Sequence, residues 1–167
     1  MNILILAAGL GTKFEGTHFD HKSLIPVNGQ PMLIKAIKSL EMDKDEGNNF
    51  IFLIPSDSEI VSKLEPEIRK AFPTNCRVVV VNDATEGPAD TAIKASDYIN
   101  TDEELLIVNS HQILYWSDAQ RDNIFDTLRD FDAGVITVKS DDPTHCYIDL
   151  DSGQLVEKDV VSDQALI

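Results

Sequence analysis

Gly9-Leu10-Gly11-Thr12-Lys13 is the stretch of this sequence best equipped for chemistry. Glycines let successive backbone N–H groups close on a phosphate, and a lysine beside them neutralises its charge. Two well-known phosphate loops do not fit. A dinucleotide fingerprint needs a third glycine where Phe14 stands, with a helix directly after it, and here a long irregular stretch follows. A Walker A loop needs Gly-Lys-Ser/Thr, and Lys13 is followed by Phe14. A second basic segment comes soon after, His21-Lys22-Ser23-Leu24-Ile25-Pro26-Val27, and then Gln30-Pro31-Met32-Leu33.

Such a loop acts only if something rigid holds it. Ile3 to Leu6 is a continuous apolar run ending in small residues, the pattern of a strand buried on both faces. Met32, Leu33, Ala36, Ile37 and Leu40 recur at helical spacing behind Pro31. Phe50 to Ile54 predicts the second strand, and Ser56 or Ser58 is placed to cap a helix bearing Ile60, Val61, Leu64, Ile68 and Phe72, with Pro66 inside it as a kink. Arg77 to Val81 predicts a third strand, Ala89 to Ile99 one more helix, and Leu105 to Val108 a fourth strand. This alternation is the sequence form of βαβ units and a mostly parallel sheet.

Beyond residue 115 the pattern changes. Ile124 to Phe131 reads as a helix, and Gly134 to Lys139, Cys146 to Leu150 and Gln154 to Glu157 read as strands, the last two joined at Asp151-Ser152-Gly153. The expectation is one domain over 1–167, with a nucleotide-binding part at 1–115 and a partial acceptor-binding part at 116–167 whose strands extend the sheet as a mixed addition.

Charge narrows the partners. The net charge is −15, and residues 1–40, with four lysines against two acids, are the only net-positive region. An acidic body repels nucleic acid and anionic lipid at long range, so neither is expected to bind; a small anion drawn to the basic loop is. Cys76 and Cys146 fit no metal spacing and are too few to staple a secreted scaffold, which favours a reducing cytoplasm. No segment has the ~20 apolar residues of a membrane span, and the short apolar start reads as a strand instead of a signal peptide.

Leu6-Ala7-Ala8-Gly9-Leu10-Gly11-Thr12-Lys13-Phe14, the following Lys22-Ser23-Leu24 and the proline-started helix together resemble the signature of the sugar-1-phosphate nucleotidylyltransferases, LAAGxGTR(F/M) and then PKPL or PKSL. The resemblance extends to choline-phosphate cytidylyltransferase-like and small surface-polysaccharide-type members. It implies a Rossmann-like α/β fold, mixed but mainly parallel, of the nucleotide-diphospho-sugar transferase type. It also implies transfer of a nucleotidyl group from a nucleoside triphosphate to a small phosphorylated acceptor, with pyrophosphate released.

By this resemblance Leu6, Ala7, Ala8, Gly9, Gly11 and Thr12 line the nucleotide, Lys13 takes the arginine's place beside the leaving pyrophosphate, and Lys22 reaches the α-phosphate or the acceptor phosphate. Lysine offers a point charge where arginine offers a bidentate fork, so the leaving group is held with less orientation. Glu86, Gly87 and Ala89 open the third helix where the family packs a segment under the nucleotide; read alone, they are equally a helix start. Glu157-Lys158 matches a pair that holds the phosphorylated acceptor in relatives.

Two departures stand out. Val108-Asn109-Ser110-His111-Gln112 carries His111 where the family has the aspartate that binds Mg²⁺. Magnesium favours charged oxygen ligands, so its site is weakened; Mn²⁺, Zn²⁺ or Ni²⁺ suit an imidazole better, and a protonated His111 would bond a phosphate directly. An ordinary polar role for His111 stays open. The later aspartate that supplies the second metal ligand in relatives has no counterpart in this shorter chain. A catalytically inactive nucleotide-binding module and a glycosyltransferase using a nucleotide sugar are therefore the rival readings. An unfinished sheet edge also leaves room for a homodimer.

Overall fold

The computed structural model describes residues 1–9, 19, 21–43, 46–82, 85–143, 145–156 and 164–166, the last three as backbone alone. Met1–Tyr115 and Trp116–Ile167 form two compact units.

The first unit begins with β1 (Asn2–Leu6), a 3-10 turn at Lys22–Leu24, the short strands β2 (Pro26–Val27) and β3 (Gln30–Pro31), and α1 (Met32–Lys38). It continues through β4 (Asn49–Pro55), α2 (Ser58–Ala71), β5 (Cys76–Val81), α3 (Pro88–Ile93), α4 (Ser96–Ile99) and β6 (Leu105–Asn109). Four parallel strands are ordered β5-β4-β1-β6 and flanked by helices, the mainly parallel α/β architecture expected from the sequence.

Alternation along these strands feeds two cores. Phe50 and Phe52 point to one face, where both rings meet Phe72 at the end of α2, with centroids 4.9 and 5.2 Å apart. On the other face Leu4, Ile51, Leu53 and Val81 pack with Ala92, Ala95, Tyr98 and Ile99 of the α3–α4 segment. Because both faces are covered, Ile3, Leu4 and Ile5 are fully buried, which explains why β1 reads as an unbroken apolar run.

Local chemistry differs from expectation at three places. The cap of α2 is Asp57, not Ser56 or Ser58: its Oδ1 accepts from the N–H groups of Glu59 and Ile60 at 2.9 and 3.0 Å. The helix continues through Pro66. Where one helix is expected from Ala89 to Ile99 there are two, because Lys94 and Ala95 turn their N–H groups to carbonyls three residues back and Ala95 leaves the helical conformation at φ −102°, ψ 10°. Between β2 and β3, Asn28 and Gly29 both have positive φ, 51° and 81°, as a two-residue hairpin turn requires.

The second unit contains α5 (Asp118–Leu128) and the strands β7 (Thr137–Val138), β8 (Tyr147–Ile148), β9 (Leu155–Val156) and β10 (Gln164–Leu166). Ser117 and Gln120 form a reciprocal capping box at the start of α5. The four strands do not extend the parallel sheet. They make their own antiparallel sheet, ordered β7-β10-β8-β9. The expected hairpin is there: Asp149 Oδ1 takes the N–H and hydroxyl of Ser152, both at 2.7 Å, and Gly153 supplies φ 67°. Those two bonds to Ser152 also hold the exposed Asp149 carboxyl below the usual range.

Candidate functional site

β1 lies between β4 and β6, so the strand order reverses at β1. Open α/β sheets bind ligands at the C-terminal ends of the strands beside such a reversal. Leu6 is registered with Asn109, which sets the exits of the two strands, Ala7 to Gly9 and Ser110 to His111, side by side.

Ala7 is fully buried and donates its N–H to the Leu53 carbonyl at 2.9 Å, so its amide belongs to the sheet. Ala8 packs onto the core that contains Ala92 and Ala95, which ties the loop's root to the α3–α4 segment. Gly9 is exposed. Gly11, Thr12 and Lys13 lie outside the described residues, as do Glu157 and Lys158.

The Lys22 segment returns to this loop. A Cβ built on Gly9 would lie 3.6 Å from Lys22 Nζ, so the ammonium stands over the glycine backbone, where phosphate oxygens would be received. His21 makes the connection. Its ring is 2% exposed, with Nε2 2.8 Å from the Gly9 carbonyl oxygen and Nδ1 accepting the Ser23 N–H at 3.2 Å. A carbonyl can only accept, so Nε2 carries the proton and Nδ1 does not, which fixes the neutral tautomer. Burial lowers the pKa of the ring, opposed by the bond to Gly9.

Two hydroxyls near the candidate site, Ser23 Oγ and Ser110 Oγ, are fully buried and have no hydrogen-bond partner among the described residues. Buried polar groups in folded proteins are nearly always paired, so these two are marked as acceptors or donors in waiting. His21, Ser23 and Ser110 were not assigned roles from the sequence. The signal available for His21 was its place next to Lys22, in the position that PKSL fills with proline.

Glu86, Gly87 and Ala89 start α3, which packs against β1. Their backbone is organised by the helix itself: Asp90 accepts the Glu86 N–H at 3.1 Å, and the buried Thr91 donates its hydroxyl to the Gly87 carbonyl at 3.0 Å. The side chains of Glu86 and Ala89 are exposed.

His111 is exposed in the turn after β6, and beside it Asn109 donates to Gln112 Oε1 at 3.2 Å. The neighbours in this turn are amides and a hydroxyl, and among the described residues no three His, Cys, Asp or Glu side chains gather around a common point. This donor set does not fit Mg²⁺. Also among the described residues, no helix is long and apolar enough to cross a membrane.

No family model matches the chain, and none of the curated proteins does. Solved structures do. A nucleoside-diphosphate-sugar pyrophosphorylase from Vibrio cholerae RC9 superposes with a TM-score of 0.74 at 14% identity, over 98% of this chain and 70% of that one. A UDP-glucose pyrophosphorylase complexed with UDP-glucose gives 0.70 at 16% identity, over 99% and 73%. HddC from Yersinia pseudotuberculosis, complexed with GMP-PN, gives 0.68 at 22% identity, over 99% and 72%. The chain therefore has the fold of the sugar-nucleotide pyrophosphorylases.

Proposed function

We propose that the chain binds a nucleoside triphosphate at the C-terminal ends of β1 and β6 and transfers its nucleotidyl group to a small phosphorylated acceptor such as a sugar 1-phosphate. The observation that carries this reading is the Lys22 ammonium over Gly9 at the point of strand reversal. An oxygen of the acceptor phosphate attacks the α-phosphorus, the bond from that phosphorus to the bridging oxygen breaks, and pyrophosphate leaves with the electron pair. The chain's contribution is alignment and charge neutralisation. Backbone amides of Ala8 to Thr12 receive phosphate oxygens, Lys22 offsets charge at the α-phosphate or the acceptor, and Lys13 stands beside the leaving group. Glu86, Gly87 and Ala89 lie under the nucleotide in this reading, and Glu157 and Lys158 hold the acceptor. No step is assigned to a metal ion.

Pyrophosphate release is the test. It should require both a nucleoside triphosphate and the phosphorylated acceptor, and release without the acceptor, or none with any pair, would refute the transferase reading. Saturable binding without turnover would identify a nucleotide-binding module instead. His111, which replaces a carboxylate by resemblance, is the observation that favours this second reading.

A further inference from the structure

We propose that His21 is a positioning residue for the phosphate site: its ring clasps the Gly9 carbonyl with one nitrogen and the Ser23 amide of the Lys22–Leu24 turn with the other, and so fixes where the Lys22 ammonium stands over Gly9. The inference rests on the nucleotide-binding reading for its function and on geometry alone for the clasp. His21 and Gly9 are twelve residues apart, and the 2.8 Å bond between them is a direct tether across the entry to the intervening segment. The same ring caps the 3-10 turn at Lys22–Leu24, which in turn packs against α1 and α2. One side chain thus couples the glycine loop, through its own two nitrogens, to the helical layer beneath the sheet.

The clasp works in only one protonation state. A proton added at Nδ1 would face the Ser23 N–H, donor against donor, and would place a second positive charge beside Lys22. Among the described residues the charged groups acting on the ring are Lys22, which disfavours that proton, and Asp57 at the start of α2, which favours it. Burial outweighs the latter, so the cap on Ser23 is intact at neutral pH and is lost on acidification, while the protonated Nε2 keeps its bond to Gly9.

Two substitutions separate the two bonds. In His21→Gln the amide Nε2 reaches about as far as the imidazole Nε2, which keeps the Gly9 tether and gives up the cap. In His21→Asn the side chain is too short for Gly9 but is an effective cap. Each full-length protein is titrated calorimetrically with CTP, UTP, GTP, ATP and dTTP at pH 8 and at pH 5.5. For the nucleotide that wild type binds, His21→Gln should stay within about threefold of wild type at pH 8, and His21→Asn should bind about tenfold or more weakly, the equivalent of one lost hydrogen bond. As the pH falls through the His21 titration, wild type should lose its small advantage and approach His21→Gln, a comparison that cancels titration of the nucleotide itself. Equal affinity of the Asn variant and wild type, or an equal loss in both variants, would overturn the proposal.

The ring ¹⁵N signals of the nucleotide-free wild type give a readout that needs neither a variant nor a ligand. They should show Nε2 protonated and Nδ1 bare, with the Gly9 amide shifting in step with ring titration at a pH below the ordinary histidine value of about 6.5. The opposite tautomer, or a Gly9 signal indifferent to that titration, would refute the clasp whatever binds. The expected tautomer in a protein that binds none of the five nucleotides would uphold the clasp, refute the nucleotide reading, and remove the function assigned to His21.

Discussion

Replacing Lys22 by methionine removes the ammonium while keeping most of the side-chain length, and its effect on nucleotide affinity follows from where the charge stands. Nζ is 3.6 Å from the position of a Gly9 Cβ, so a phosphate oxygen seated over Gly9 would carry its charge roughly 4 Å from the ammonium. Two unit charges at that distance attract by about 4 kcal/mol at an effective dielectric constant of ~20. Lys22 is only half-buried, and water and salt screen part of this. A remainder of about 2–3 kcal/mol corresponds to a loss of roughly 30- to 150-fold in affinity. Calorimetric titration with the five nucleoside triphosphates at two salt concentrations measures it. Wild-type affinity should fall more steeply with salt than that of Lys22→Met, because the variant has one fewer charge to screen. An affinity unchanged by Lys22→Met, in a protein whose thermal midpoint is also unchanged, would refute the placement of the phosphate site.

Other outcomes are expected from the same structure. His111→Asp puts a hard, charged oxygen ligand at the end of β6, and Mg²⁺-dependent pyrophosphate release should rise about tenfold or more; no change would show that His111 is not what limits turnover. Thr91→Val leaves the Thr85 hydroxyl, 2.6 Å from Thr91 Oγ1, without that partner, while the Gly87 carbonyl keeps the Thr91 N–H at 2.9 Å, and urea unfolding should show a loss of about 1 kcal/mol. Phe72→Ala removes the ring that covers both Phe50 and Phe52 and should cost about 3–5 kcal/mol in the same assay. The lowered pKa of His21 means that the unfolded chain binds its proton more readily than the folded one. Its contribution to stability is therefore complete above about pH 6.5 and is lost as pH falls through the folded-state value, and urea midpoints of His21→Gln should lack that component.

The central strands of the parallel sheet were legible because β1 and β4 are buried on both faces and so carry unbroken apolar runs, from Ile3 to Leu6 and from Phe50 to Ile54. Boundaries were less legible where several residues compete for one role. Ser56, Asp57 and Ser58 are all acceptable caps, and the α2 start is decided by which carboxylate or hydroxyl the β4 exit aims at the first free amides. The break between α3 and α4 is set by tertiary packing, since Ala95 is buried in the core and nothing in its own propensity interrupts a helix. Asn28-Gly29 is a hairpin signal that residue type alone carries. Within the site, the glycine loop and Lys22 could be chosen by residue type. His21 could not, because its role depends on a contact twelve residues away that no local pattern encodes.

The pairing of Asn2 with Leu105 has a consequence for how the protein comes into being. Among the described strands of its sheet β1 is made first, and β6, one of its two neighbours, last. Until then β1 can join β4 alone and presents an open edge beside the most apolar run of the nascent chain. Chaperone capture and misassociation should concentrate in that interval of synthesis, and a chain released before Leu105 would hold a glycine loop with one wall of its crevice missing.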